Sequence, residues 1–169
     1  MKKVLATILA LVMAIGLCSV SWAAEPTSVN SAEELKTAIA TGGEIKLAAD
    51  ITLTSTLNLE KDVTIDGQGA YTIKAADNFT SGSDNKTACV LYVSAMVTLK
   101  DVTVNGNEKC RVIFCDTGKL TIDGATITNG KAPNFIGGVY MTSSASFEMN
   151  SGSIVGNKNV ENYQNDNYL

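Results

Sequence analysis

Few residues of this chain could do chemistry. Asp66, Lys100, Asp123 and Asn150 offer two carboxylates, an amine and an amide. Carboxylates ligate hard cations, an amine moves a proton or neutralises acidic neighbours, and an amide bridges by hydrogen bonds. Cys89, Cys110 and Cys115 carry thiols. Asp77-Asn78-Phe79 and Asn134-Phe135 set an amide beside an aromatic ring. Amide hydrogen bonds combined with stacking of C–H faces on rings are how proteins hold sugars. With no histidine in 169 residues, Ser-His-Asp and Cys-His catalysis, His-ligated zinc and imidazole acid–base chemistry are excluded. Arg111 is the only arginine and the formal charge is −4, so neither a groove tracking nucleic-acid phosphates nor a basic patch for anionic lipid is expected.

These residues are placed by a repeat. Val97-Thr-Leu-Lys-Asp-Val-Thr-Val-Asn-Gly-Asn107 lies over Leu120-Thr-Ile-Asp-Gly-Ala-Thr-Ile-Thr-Asn-Gly130 and over Phe147-Glu-Met-Asn-Ser-Gly-Ser-Ile-Val-Gly-Asn157, the second step being slightly longer than the first. A second matching run precedes each copy: Val90-Leu-Tyr-Val93, Val112-Ile-Phe-Cys115 and Val139-Tyr-Met-Thr142. Apolar residues alternate with Thr, Lys or Asp, which is strand period. Short strands joined by Asp, Asn and Gly corners and repeating roughly every 22 residues predict an all-β fold, a coil with three strands per turn in which stacked coils share one core. An antiparallel sandwich is the competing architecture, because Asp66-Gly67 and Asn105-Gly106 are also hairpin signals. In the repeat alignment Asp66, Lys100, Asp123 and Asn150 share one corner of successive coils. Cys89 and Cys110 stand close to one repeat apart and precede matched valines, so a disulfide between adjacent coils is expected. Cys115 is expected to be a packed thiol in the row of Val93 and Thr142.

Residues 1–23 read as a cleaved signal peptide, with Lys2-Lys3, an apolar run and Ser21-Trp22-Ala23 before the cut. The product is expected to be secreted or surface-displayed, without membrane insertion after cleavage. Residues 24–169 form the domain: a capping helix over 31–41, coils over about 45–157 and a polar tail over 158–169. Ser31 and Glu34 make a capping box, Leu35, Ala38 and Ile39 an apolar stripe, and Gly42-Gly43 a stop. No matching C-terminal cap is legible, so self-association through the last coil, or a chain continuing beyond it, is expected. Two insertions, 75–87 and 131–136, follow the third strand of their coils and are expected to emerge as loops along one edge.

Ile45-Lys-Leu-Ala-Ala-Asp-Ile-Thr-Leu53, Val63-Thr-Ile-Asp-Gly-Gln-Gly69 and Tyr71-Thr-Ile73 resemble the opening of bacterial extracellular right-handed parallel β-helix proteins of the pectate-lyase-like superfamily, which implies a right-handed single-stranded parallel β-helix. Gly137-Gly-Val-Tyr140 with Phe147-Glu-Met-Asn150 is similar to the repeats of polymorphic outer-membrane and adhesin-like proteins. The superfamily includes lyases, hydrolases, adhesins and stalks. The hydrolase pattern of clustered Asp, Gly-His-Gly and Arg-x-Lys is absent. Similarity to the lyases implies calcium on Asp66 and Asp123 with Lys100 as base; the alternative is a structural ladder of paired charges at a solvated corner. The expected function is non-catalytic display: binding of polysaccharide or a cell-surface protein through Asp77, Asn78, Phe79, Asn134 and Phe135, with no catalytic residue and no cofactor required. A calcium-dependent polysaccharide lyase and a passive cell-wall stalk are the alternatives.

Overall fold

The structure, a computed structural model, describes residues 25–133 and 136–160. The expected signal segment, Asn134, Phe135 and residues 161–169 lie outside the described residues. The described chain is mostly strand, with one helix.

Three sheets take successive strands in turn. The first holds β1 (Thr27–Val29), β2 (Gly43–Leu47), β5 (Val63–Asp66), β8 (Met96–Lys100), β11 (Gly118–Asp123) and β15 (Ala145–Met149), in that order. The second holds β3 (Ile51–Ser55), β6 (Thr72–Thr80), β9 (Thr103–Asn105), β12 (Thr126–Thr128) and β16 (Ser153–Val155). The third holds β4 (Leu57–Leu59), β7 (Cys89–Val93), β10 (Arg111–Cys115) and β14 (Val139–Met141). A two-stranded pair joins β13 (Lys131–Pro133) to β17 (Lys158–Val160). All these strand pairings are parallel, which overturns the antiparallel sandwich. Isolated antiparallel bridging occurs only between Lys100 and Gly124 among the described residues.

Register follows the repeat. Val63, Val97, Leu120 and Phe147 are successive partners, as are Ile65, Leu99, Ile122 and Met149. The first three of each row are almost wholly buried. Each such side chain contributes roughly 1.5–3 kcal/mol by leaving water, so a row shared between strands is the unit of stability. The row opens at β15 and β16, where Phe147, Met149 and Ile154 are about two-fifths exposed. Gly118 marks a corner where backbones touch: its φ is +77°, and a Cβ there would stand 2.3 Å from the Ala95 carbonyl oxygen.

At the other end α1 (Ala32–Thr41) buries Leu35, Ala38 and Ile39 against β1, β2 and β3. Ser31 Oγ accepts from Glu34 N at 3.3 Å, and Glu34 Oε2 accepts from Asn30 N at 2.8 Å. Among the described residues no helix is long and apolar enough to cross a membrane.

Three local expectations are corrected. Residues 75–80 belong to β6 and are not loop: Leu53 faces Ala75 and Ser55 faces Thr80, so the strand bulges opposite Thr54 while Ala75 and Ala76 stay buried. Lys158–Val160, assigned to the polar tail, pairs with β13. Cys115 faces Val93 and Met141, not the expected Thr142.

Candidate functional site

The predicted corner ladder forms. Asp66 faces Lys46 and Lys100, and Lys100 faces Asp123, so charge alternates along the sheet. Asn150 follows in the same corner, donating its N–H to the Ile122 carbonyl at 2.9 Å. Lys100 Nζ lies 3.0 Å from Asp66 Oδ2, and Asp66 Oδ1 accepts from Gln68 N at 2.7 Å. Burial pushes the Asp66 carboxyl up, but the Lys100 ammonium and the Gln68 N–H outweigh it and hold it below the usual value. The Asp66 contact raises Lys100 in turn, keeping its proton on. These residues do not fit a calcium site with a base. An ammonium stands between the two carboxylates, which lie two strand spacings or roughly 10 Å apart, whereas calcium gathers six to eight oxygens. Among the described residues no three His, Cys, Asp or Glu side chains group around a metal position.

The two insertions meet elsewhere. A hollow of about 260 Å³ is lined by Ser81, Ser83 and Asn85 of the first and by Lys131 of the second, with Lys109 and Arg111 between them. A neighbouring hollow of about 530 Å³ is lined by Asn107, Glu108 and Asn129 and shares Lys109 and Lys131. The two lysines thus line both hollows, which adjoin as one groove. Corner geometry positions them. Asn107, Glu108 and Asn129 have φ of 50°, 55° and 53°, the left-handed region that asparagine tolerates. Glu108 N donates to the Asn129 carbonyl at 2.8 Å and Lys131 N to the Cys110 carbonyl at 2.9 Å, stacking one corner on the next.

Most acids bordering this groove have partners. Glu108 Oε1 takes Lys158 Nζ at 2.7 Å, and that contact, with help from Lys131, lowers its carboxyl. Asp84 Oδ1 accepts from Thr87 N and Oγ1, both at 2.8 Å, and is lowered by them. Asp77, from the predicted binding set, lies at the margin, where Asn107 Nδ2 donates to its Oδ1 at 2.9 Å; that bond, then Lys109 and Lys74, lowers it. Neither Lys109 nor Lys131 enters an ion pair among the described residues. Asn78 is exposed on β6, whereas Phe79 is half-buried and packs against the core. Asn134 and Phe135 lie outside the described residues.

Behind the groove is a cluster that sequence inspection missed. Tyr92, Phe114 and Tyr140 are register partners on the third sheet, with ring centroids 6.0 and 5.5 Å apart. Arg111 lies 4.8 Å from the Tyr140 ring and 5.8 Å from that of Phe114. Its Nε donates to the Ile136 carbonyl at 2.9 Å and its Nη1 to Asn85 Oδ1 at 3.2 Å. Tyr92 Oη donates to Asp116 Oδ2 at 2.9 Å, beside Lys86 Nζ at 3.6 Å from the same oxygen. Tyr92 and Phe114 are 6% and 4% exposed, too little for a ligand to stack on them.

Cys89 and Cys110 are separate buried thiols and not the expected disulfide. Cys89 faces Arg111, the residue after Cys110, so Cys110 is out of register by one. A one-residue slip in a strand sends side chains to opposite faces, and Cys89 joins the Tyr92–Phe114 cluster while Cys110 joins the inner core.

Comparison with protein-family models, with curated proteins and with solved structures finds no match to this chain.

Proposed function

We propose that the chain is a secreted or cell-surface right-handed β-helix, adhesin-like, that binds polysaccharide through the groove around Lys109 and Lys131 without chemistry on it. The observation that carries this is the convergence of both insertions on one hollow, which shares Lys109 and Lys131 with its neighbour. Amides and hydroxyls there supply the mixed donors and acceptors that sugar hydroxyls require. Support for the winding comes from the rotation of successive strands through three sheets with parallel pairing, and from the right-handedness of parallel crossovers in general. Support for export is the signal-like character of residues 1–23.

The test is retention of the purified chain on a panel of immobilised bacterial, plant and host polysaccharides. Retention on at least one, lost in Asn107→Ala/Asn129→Ala, is the expected result. No retention on any overturns binding in favour of a passive stalk. Release of unsaturated, ultraviolet-absorbing sugars from a uronate polymer overturns the non-catalytic assignment.

A further inference from the structure

Within that proposed groove, we infer that the ligand carries an anionic oxygen group, a carboxylate, sulfate or phosphate on the polysaccharide, seated between Lys109 and Lys131. This rests on the groove being a glycan site and goes further by naming the charge that the glycan must bear.

The chain as a whole is acidic, yet the lining of the smaller hollow holds three cations, Lys109, Arg111 and Lys131, against one acid, Asp84. Asp84 is engaged by the Thr87 N–H and hydroxyl, which fix its charge toward its own turn. In the larger hollow Glu108 is held by Lys158. Neither Lys109 nor Lys131 enters an ion pair among the described residues, and the acids they act on at longer range, Asp77 for Lys109 and Glu108 for Lys131, are hydrogen-bonded to Asn107 and Lys158. They sit on adjacent rungs, since Lys131 N bonds the carbonyl of Cys110, the residue after Lys109. Both lysines line both hollows, so one oxyanion seated there is drawn by two like charges. Arg111, tied to Asn85 and Ile136, adds fixed positive charge behind the lysines. Asn85, Ser81 and Ser83 can hydrogen-bond the oxygens or hydroxyls of the sugar that bears the group.

The experiment is calorimetric titration of the whole chain with matched pairs of probes: oligogalacturonate against its methyl ester, dextran sulfate against dextran, and a phosphorylated mannan against mannan. The expected result is that at least one acidic probe binds on the order of tenfold tighter than its neutral partner, with affinity falling as salt rises. Lys109→Gln/Lys131→Gln should abolish that preference while leaving the melting temperature unchanged, and Lys61→Gln, remote from the groove, should leave it intact. The favoured pair identifies the anion. Equal binding of acidic and neutral probes, lost in Asn107→Ala/Asn129→Ala, would overturn the anionic ligand but leave the glycan groove standing. Binding of no probe would overturn both.

Discussion

Lys100 Nζ and Asp66 Oδ2, far apart in sequence, meet at 3.0 Å on neighbouring strands of the first sheet. The pair is half in water: the Asp66 side chain is 7% exposed and that of Lys100 42%. Position in the repeat brings them together, with Lys46 and Asp123 continuing the alternation on either side. Such a corner is suited to holding strands in register and ill suited to proton abstraction, because Asp66 and Lys100 keep each other ionised.

Replacing Asp66 by Asn keeps an acceptor for the Gln68 N–H but removes the charge, and should cost about 1 kcal/mol near neutral pH. Because the folded carboxyl titrates below its ordinary value, the stability it contributes is present above that value and disappears as pH falls through the folded one. Urea titrations of both proteins should therefore differ at pH 7 and converge in strong acid. Lys100→Met should be worse than Asp66→Asn, since it leaves a buried carboxylate without its ammonium. No loss in either variant would mean that the pair is energetically idle.

The three described thiols should resist alkylation. Burial pushes Cys89 and Cys110 from 9.0 up to about 12 and Cys115 up to about 11. Thiolate is the nucleophile, so iodoacetamide at pH 8 should label none of them in the folded protein and all of them in denaturant, as read by mass spectrometry. A raised acid contributes stability below its unfolded pKa and loses it as pH climbs through the folded value. Unfolding should accordingly become easier between about pH 9 and 12.

The rows and the corner ladder were legible because alternating Val, Ile and Leu at a near-constant period admit one register, and Asp66, Lys100 and Asp123 inherit it. Departures from the period were not. Asp77-Asn78 reads as a turn, yet the small Ala75 and Ala76 let β6 continue past a bulge. The Cys89–Cys110 spacing is one short of the register spacing, a mismatch already implicit in the alignment of Val90 with Val112 and explicit in the pairing of Cys89 with Arg111. Whole-chain charge hid Lys109 and Lys131. Part of the signal was present all the same, since they lie a single repeat apart and Lys131 opens the second insertion.

Gly118→Ala should destabilise the protein by about 2–3 kcal/mol, through a strained positive φ and the collision of a Cβ with the Ala95 carbonyl oxygen. Gly69→Ala is the control: φ is +69° there but nothing lies within 4 Å of the added carbon, so the loss should be about 1 kcal/mol. Thermal melts of the two variants separate close approach from backbone strain.

Leu120 and Phe147 are register partners that sequence alone would treat as equivalent, and their costs on truncation should differ. Leu120 is fully buried, with β8 on one side and β15 on the other. Leu120→Ala should leave a cavity and cost about 2–5 kcal/mol. Phe147 is 41% exposed on β15, at the edge of its sheet among the described strands. Part of its ring never leaves water, so Phe147→Ala should cost well under the roughly 3–5 kcal/mol of a buried phenylalanine. Chemical denaturation of the two variants measures this directly. A Phe147→Ala loss as large as that of Leu120→Ala would show that the last rung is covered in solution, with a further rung or a second chain completing the row.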